Sequence, residues 1–169
     1  MKPAGGKLLP PVRLDSSHDV SQFSCGKPAL DDWLRNRARK SEGRSARTYV
    51  VCEDAVVVGY YAIAAGSVER RLLPSGMRRE QGLPQPIPVA IIGRLARDER
   101  FRGKGLGEDL LRDAIRKILH ASETVGVRAI LVHAIDEDAA RFWRRFGFLP
   151  SPLDGQILFL PIETVVKAL

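Results

Sequence analysis

The chain has 169 residues, of which 44% are hydrophobic and 28% are charged, and this composition predicts one globular domain spanning residues 1–169. It contains no apolar run of the roughly 18 residues that a membrane-spanning helix needs, and residues 1–12 lack the apolar core of a signal peptide. The formal net charge of +7 argues against a binding partner that is itself polycationic and is compatible with a polyanionic partner.

The N-terminal half predicts an arm, a helix and two strands. We expect residues 1–12, of which 1–7 lie outside the part of the chain that the structure describes, to form an arm that leads into a strand. The segment "GKPALDDWLRNRARKSEG" predicts the first helix, which begins near Pro28 and ends at Gly43. Its apolar residues recur at helical spacing and predict a buried stripe of Leu30, Trp33, Leu34 and Ala38. The segment "RTYVVCEDAVVVGYYAIAAGSV" predicts two strands joined at Glu53-Asp54-Ala55.

The C-terminal half alternates strands with helices. A proline-rich loop over residues 69–88, with room for a short helix, precedes the strand "VAIIGRLA". A glycine-rich loop and a helix over residues 105–122 follow it, and then the strand "VRAILVHA", the helix "DEDAARFWRRFG" and the strand "QILFLP". The order β-α-β-β-β-α-β-α-β predicts an α/β (α+β) fold, in which helices flank both faces of a mixed central sheet.

The two cysteines, Cys25 and Cys52, form no CxxC pair and predict free thiols in a reducing cytoplasm. The three histidines, His18, His120 and His133, lack the spacing of metal ligands. We therefore expect a cytoplasmic protein without a metal site.

The glycine-rich loop reads Arg102-Gly103-Lys104-Gly105-Leu106-Gly107 and lies between a strand and a helix. The first N–H groups of a helix have no partner within the helix and attract anions, and glycine lets a ligand approach the backbone closely. The loop matches neither the P-loop pattern nor the dinucleotide fingerprint. It predicts a phosphate site of another kind.

The segment "LARDERFRGKGLGEDLL" resembles the acyl-CoA site of the GNAT acetyltransferases, whose motif is Arg/Gln-x-x-Gly-x-Gly/Ala after a strand. Arg102, Gly105 and Gly107 match that motif, "FWRRFGF" matches the family's late aromatic helix, and the resemblance spans about residues 48–161. It implies the GNAT fold and acetyl-CoA as cofactor. The residues that it assigns to coenzyme binding are Leu95, Ala96, Arg97, Arg102, Gly103, Lys104, Gly105, Leu106, Gly107 and Phe142. An apolar residue is usual at the position of Arg97.

Longer segments resemble a narrower group, the acetyltransferase toxins of bacterial toxin–antitoxin modules. These segments include "FSCGKPALDDWLR", "VVGYYAIAAGSV", "GVRAILVHAIDEDAARFW" and "GFLPSP". The resemblance implies acetylation of the free amino group of charged tRNA, which stops translation. It also implies a homodimer and a cognate ribbon-helix-helix antitoxin, whose C-terminal tail we expect to cover part of the active site.

Basic residues crowd the first helix and the proline-rich loop, which favours contact with a phosphate backbone. Few aromatic residues accompany them outside the core, so we expect recognition of the shape and the end of the RNA rather than base stacking. The residues assigned to tRNA binding are Arg35, Arg39, Lys40, Arg44, Arg47, Arg78 and Arg79.

The expected chemistry needs no strong base. A free α-amino group has a pKa of about 7.7–8.0, and esterification of the adjacent carboxyl lowers it further, so the amine of charged tRNA is already largely neutral at cellular pH. In the toxin group a tyrosine after a phenylalanine of the late helix is taken to protonate the departing thiolate, but here Trp143 follows Phe142. Indole is too weak an acid for that role. Tyr60 and Tyr61 are candidate substitutes; strand alternation allows only one of the two to face the site, and we take Tyr61 as the candidate.

Two alternatives to the tRNA substrate remain at this point. One is a GNAT enzyme that acetylates a protein N-terminus or a small amine. The other is a module that binds coenzyme A with little catalysis, which the missing tyrosine would permit.

Asp98 is interpreted as a cap or turn residue between the strand and the glycine-rich loop.

Overall fold

The computed structural model describes residues 8–168, which form seven strands and six α-helices. The strands are β1 Val12–Arg13, β2 Arg47–Glu53, β3 Val56–Val68, β4 Ile87–Arg97, β5 Ala129–His133, β6 Leu149–Pro150 and β7 Ile157–Pro161. The helices are α1 Pro28–Asn36, α2 Ala38–Ser41, α3 Ser75–Arg78, α4 Leu106–Ser122, α5 Glu137–Arg145 and α6 Ile162–Ala168. Single 3₁₀ turns lie at Arg70–Leu72 and Glu99–Phe101.

The strands form a mixed sheet in the order β1-β2-β3-β4-β5-β7-β6. β2 and β3 form an antiparallel hairpin, whereas β4 pairs with β5 in parallel from Val89↔Ala129 to Ile92↔Val132. β7 pairs with β5 and with β6 in the antiparallel sense. The parallel β4–β5 pair needs a long crossover connection, and α4 supplies it. The sequence-based fold class, a mixed sheet with flanking helices, is confirmed.

The structure divides into two compact units, of which the first comprises residues 8–64 and 93–116. Its core includes Phe23, Leu34 and Tyr60 under α1. Consecutive residues of a strand point to opposite faces of the sheet, and Tyr60 and Tyr61 follow this rule. The Tyr60 hydroxyl donates to the Leu30 carbonyl of α1 at 2.7 Å, whereas the Tyr61 hydroxyl donates to Asp113 of α4. Helices α1 and α4 therefore cover opposite faces of this part of the sheet.

The second unit comprises residues 65–92 and 117–168. Leu73, Ile87 and Phe159 are fully buried in its main core cluster. The Arg128 guanidinium pairs with Glu80 and lies 3.7 Å from Glu163. These ion pairs link the segment after α3, the approach to β5 and the first turn of α6.

The sequence predicted one helix from Pro28 to Gly43, and this prediction is wrong, because the helix breaks at Arg37. The backbone of Arg37 leaves the helical region (φ −124°), and α2 restarts at the fully buried Ala38. The restarted turn lets Arg39 bind the backbone carbonyls of Asp15 and His18. This is a tertiary contact, which helical periodicity does not encode. The buried stripe itself is confirmed, with Leu34 and Ala38 in the core and Leu30 and Trp33 packed against it.

Candidate active site

The glycine-rich loop connects β4 to α4 and is held at both ends by buried side chains. Phe101 and Leu106 are buried, whereas residues 102–105 between them are exposed. Gly103 and Gly105 have φ angles of +75° and +79°, a left-handed conformation that glycine adopts without strain. A Cβ atom at either position would have no heavy atom within 4 Å, so the outer side of the loop is open to a ligand.

The first turn of α4 offers backbone donors to that open side. The Gly105 carbonyl, just before the helix, accepts the N–H of Asp109 at 3.0 Å. At the start of an α-helix the first N–H groups have no carbonyl within the helix to bind. Such donors, together with the positive end of the helix dipole, suit a phosphate. The local geometry therefore fits the diphosphate of coenzyme A.

The charged residues at the loop and on the first turn of α4 have both signs. Arg102 is exposed and lies 3.9 Å from Glu99. The acidic residues Glu108 and Asp109 of α4 both pair with Arg112, at 3.8 and 3.1 Å. Arg112 thus offsets part of the negative charge that would otherwise repel a phosphate.

Asp98 fixes the start of the loop. Its side chain is 3% exposed and accepts hydrogen bonds from the Ser24 N–H at 3.1 Å and from the Arg100 N–H at 3.0 Å. The Arg100 guanidinium adds a third hydrogen bond at 3.0 Å. These hydrogen bonds outweigh the opposing effect of burial and hold the pKa of Asp98 below its ordinary value. The interpretation of Asp98 as a cap is confirmed, but its link to Ser24, 74 residues away, was missed because nothing local signals it.

Gly59 of β3 allows α4 to approach the sheet. A Cβ atom there would lie 3.1 Å from Leu110 Cδ1 and 3.3 Å from Leu106 Cδ2, closer than side chains normally pack. Leu106 is the first residue of α4, so the absence of a side chain at Gly59 helps to set where the helix begins. No local sequence pattern predicts this packing role.

The coenzyme-binding residues predicted in β4 form the end of that strand. Ala96 is buried in the cluster beneath α1, while its neighbours Leu95 and Arg97 are partly exposed. The strand is anchored at its end by the Asp98 N–H, which donates to the Val58 carbonyl at 2.8 Å.

Trp143 lies in α5, whose first turn is capped by Asp136 through a 2.9 Å hydrogen bond from the Ala139 N–H. The indole is 6% exposed and packs edge-on against Phe142 and Phe148, at 5.2 and 5.1 Å between ring centroids. Trp143 thus contributes to the core of the second unit, and a catalytic role for this position stays a prediction.

Phe142 is partly exposed and lines a shallow groove on α5. The other lining residues are Asp138, Arg141, Arg144 and Arg145. The Arg145 guanidinium lies over the Phe142 ring at 5.7 Å. An aromatic face beside arginines suits a ligand that has both apolar and phosphate parts. This is compatible with the predicted role of Phe142 in coenzyme binding.

Tyr61 is fully buried and stacks on Tyr49 at 5.2 Å between ring centroids. Burial and the hydrogen bond to Asp113 raise its pKa well above the ordinary value for tyrosine. Both effects make Tyr61 a weaker proton donor. They favour a structural role, and its predicted catalytic role stays a prediction.

The predicted tRNA-binding residues differ in what their side chains already contact. Arg35 donates to the Phe23 carbonyl at 2.5 Å, Arg39 binds two carbonyls of the N-terminal segment, and Arg47 donates to the Ala46 carbonyl at 3.3 Å. Lys40 and Arg44 are exposed after the helix break. Arg35 and Arg39 therefore support the fold, whatever else they bind, whereas Lys40 and Arg44 are the better test of RNA contact.

The two remaining basic residues, Arg78 and Arg79, lie at the end of α3 in the second unit. Arg79 is exposed, while Arg78 is partly buried and its Nε has no hydrogen-bond partner among the described residues. Substitution of Arg78 would therefore test packing as well as RNA contact.

Both cysteines are free thiols, as the sequence predicted, and burial raises the pKa of Cys25 and of Cys52 to about 11. Within residues 8–168, no three His, Cys, Asp or Glu side chains converge to form a metal site. None of the helices in this part of the chain is both long and apolar enough to cross a bilayer.

Comparisons with known proteins relate these features to one family. The model of the acetyltransferase (GNAT) family matches residues 15–148. A tRNA-acetylating toxin of Mycobacterium tuberculosis is 44% identical over 151 residues, which cover 89% of this chain and 90% of the relative.

Two solved structures of the AtaT toxin have the same fold. AtaT complexed with acetyl-methionyl-tRNAfMet has a TM-score of 0.87 and 29% identity, covering 96% of this chain and 99% of that chain. A tyrosine-to-phenylalanine variant of AtaT, bound to the C-terminus of the antitoxin AtaR and acetyl-CoA, has a TM-score of 0.81 and 28% identity, covering 96% and 97%. With its glycine-rich loop, its mixed sheet and these relatives, the chain belongs to the GNAT acetyltransferase family.

Proposed function

We propose that this protein transfers the acetyl group of acetyl-CoA to the free α-amino group of aminoacyl-tRNA and thereby stops translation. The observation that carries the proposal is the open glycine-rich loop at the start of α4, in a chain that is 44% identical to a tRNA-acetylating toxin. The exposed cations of the first unit and the net charge of +7 supply the attraction that an RNA substrate requires.

The coenzyme would be held by backbone groups more than by side chains. The N–H groups of residues 103–107 would bind its diphosphate, with Arg102 and Lys104 adding charge. The backbone at the end of β4, from Leu95 to Arg97, would pair with the pantetheine arm and aim the thioester, and Phe142 would pack against the coenzyme. When bound, acetyl-CoA supplies an activated acetyl group whose leaving group is a thiolate.

The acceptor amine needs little help from the protein. An α-amino group with a pKa near 7.7–8.0 is partly neutral at pH 7, and an ester at the adjacent carboxyl lowers its pKa further. The described residues of β4 include no carboxylate, in accordance with this requirement. The work of the protein is therefore to position the amine against the thioester.

The thiolate must still gain a proton, and position 143 bears on this step. An indole N–H donates a hydrogen bond but does not release its proton at physiological pH. We propose that this chain is an acetyltransferase whose turnover is reduced by Trp143. The buried, aromatic surroundings of that side chain also support the alternative of a coenzyme-binding module with weak catalysis.

The proposed partners follow from the same relatives. We propose a ribbon-helix-helix antitoxin whose C-terminal tail covers part of the active site, which the AtaT–AtaR complex supports. We also propose a single acetyltransferase domain over residues 1–169, assembly as a homodimer, and action in the cytoplasm, where charged tRNA is present.

The proposal is tested by incubating the purified protein with labelled acetyl-CoA and a total pool of charged tRNA. We expect label in the charged tRNA and none in the same pool after its amino acids are removed. Transfer to peptides or small amines, with none to charged tRNA, would favour the protein or small-molecule alternative.

A further inference from the structure

A column of stacked side chains runs from the core of the first unit to its surface at β4. The Phe23 ring meets Tyr60 edge-on at 5.5 Å, and Tyr60 stacks almost parallel to Trp33 at 6.0 Å. The Arg94 guanidinium lies over the indole of Trp33 at 4.8 Å from its centroid. Phe23 and Tyr60 are fully buried, whereas Trp33 and Arg94 are partly exposed. The guanidinium is therefore the surface end of a rigid column.

The charge of Arg94 is not neutralised by an acidic side chain within the described structure. Its guanidinium makes one hydrogen bond, of 3.4 Å, to the carbonyl of the adjacent Gly93. No carboxylate of the described residues pairs with it. Packing over an indole removes much of the conformational freedom of an arginine. This entropy is lost when the protein folds, so it is not lost again when a ligand binds. Such a guanidinium is prepared to bind a planar or tetrahedral oxyanion with two N–H groups.

Arg94 lies on the face of the sheet opposite α4. Ala96, two residues along β4, packs in the cluster beneath α1, and residues i and i+2 of a strand share a face. Helix α4 packs on the other face, against Gly59 and Tyr61. Arg94 is about 10 Å along the strand from Arg97, where β4 ends before the glycine-rich loop. Arg94 therefore lies near the end of β4, on the face of the sheet that α1 covers.

We propose that Arg94, held by Trp33, binds a backbone phosphate at the 3′ end of the charged tRNA and so positions the terminal aminoacyl group. The inference rests on the proposed function and adds a residue that the sequence did not single out. The exposed Arg37, which follows the end of α1 and whose N–H donates to the Trp33 carbonyl at 2.8 Å, adds positive charge close to Trp33 along the chain. A phosphate on Arg94 would set the register of the RNA without reading its sequence.

The experiment compares two acceptors that carry the same amino acid: the charged tRNA that the wild type acetylates best, and an aminoacyl-adenosine, which has no phosphodiester. For Arg94→Gln we expect KM for charged tRNA to rise at least tenfold. We expect KM for aminoacyl-adenosine and KM for acetyl-CoA to stay within twofold of wild type. Arg116→Gln is the matched control, because Arg116 is an exposed arginine of α4, and it should leave all three constants unchanged.

A second variant guards against loss of folding in the first. Arg94→Lys keeps the charge but loses the planar, bidentate guanidinium, and we expect a smaller rise in KM for charged tRNA, about threefold to tenfold. Equal losses with both acceptors would overturn the inference and make Arg94 a packing residue. A rise confined to KM for acetyl-CoA would overturn it in favour of a coenzyme phosphate. If wild type acetylates aminoacyl-adenosine but no charged tRNA, the proposed function fails first.

Discussion

Gly105 is the residue on which coenzyme binding depends most directly. Its φ of +79° places any other residue in a conformation that costs roughly 1–2 kcal/mol, and a carboxylate there would face the phosphate site. We expect Gly105→Glu to weaken acetyl-CoA binding at least tenfold by isothermal titration calorimetry. Gly126→Glu is the control, because Gly126 is exposed, has open space around it and is far along the chain from the loop. Unchanged affinity in the Gly105 variant would place the coenzyme elsewhere.

Position 143 decides between a slow enzyme and a binding module. A tyrosine can give its proton to a thiolate, and general acid catalysis typically contributes about 10²–10⁴-fold to the rate. We expect Trp143→Tyr to raise kcat on charged tRNA at least tenfold without changing the Kd for acetyl-CoA.

Trp143→Phe separates the hydroxyl group from the change in packing. Both variants remove the indole from a site against Phe142 and Phe148, at a cost of about 1–3 kcal/mol in stability. The phenylalanine variant should show the same loss of stability and no gain in kcat. Equal kcat values for the tyrosine and phenylalanine variants would show that position 143 serves packing alone.

In the segment between β4 and α4, the sequence predicted the phosphate loop but could not predict the long-range contacts that hold it. The phosphate loop follows from local chemistry, because glycines and cations directly before a helix favour the binding of an anion. The contact of Asp98 with Ser24 joins residues far apart in the chain, and so does the packing of α4 on Gly59. Such contacts depend on the tertiary fold. The two-residue strand β6 and the break at Arg37 were also missed, because a periodic pattern of apolar residues can be detected only over longer segments.

The hydrogen bonds of Asp98 predict how the stability of this segment depends on pH. The pKa of Asp98 is lowered in the folded protein, so its carboxylate stabilises the fold above the unfolded pKa of about 3.9. That contribution is lost as the pH falls through the folded pKa. We expect Asp98→Asn to lower the free energy of unfolding by about 1–3 kcal/mol at pH 7.

The difference between wild type and Asp98→Asn should shrink as the pH falls below about 4, because the carboxyl gains a proton first in the unfolded chain and only at lower pH in the folded protein. Urea unfolding at pH 7 and pH 3 measures it. The surface residue Asp138 provides a control through Asp138→Asn, which should change stability little at either pH, because its ion pair with Arg141 is exposed. A loss that is the same at both pH values would mean that the ionised carboxylate of Asp98 contributes nothing.

The net charge of +7 attracts tRNA through the field of the whole molecule, and particular exposed side chains are expected to contact its phosphates. Lys40 and Arg44 are exposed, whereas Arg35 and Arg39 already bind carbonyls of the fold. We expect Lys40→Gln with Arg44→Gln to weaken tRNA binding. We also expect it to reduce the slope of log affinity against log salt by about 1.4–1.8, since each phosphate contact contributes about 0.7–0.9.

Fluorescence anisotropy with labelled tRNA over a range of salt concentrations measures this slope. The control is Arg116→Gln with Lys117→Gln, which removes the same charge from α4. Equal slopes for the two double variants would show that only the total charge matters and that the surface around α2 makes no specific contact.

In the proposed reaction the acetyl group goes to the amino acid of a charged tRNA. The most direct measurement is mass spectrometry of the aminoacyl-adenosine released from charged tRNA by ribonuclease, after incubation with the purified protein and acetyl-CoA. We expect a mass increase of one acetyl group on the α-amino nitrogen, which grows in the Trp143→Tyr variant and disappears in Gly105→Glu. Charged tRNA that stays unmodified by both wild type and Trp143→Tyr, while each binds acetyl-CoA normally, would contradict the proposed acetylation of tRNA.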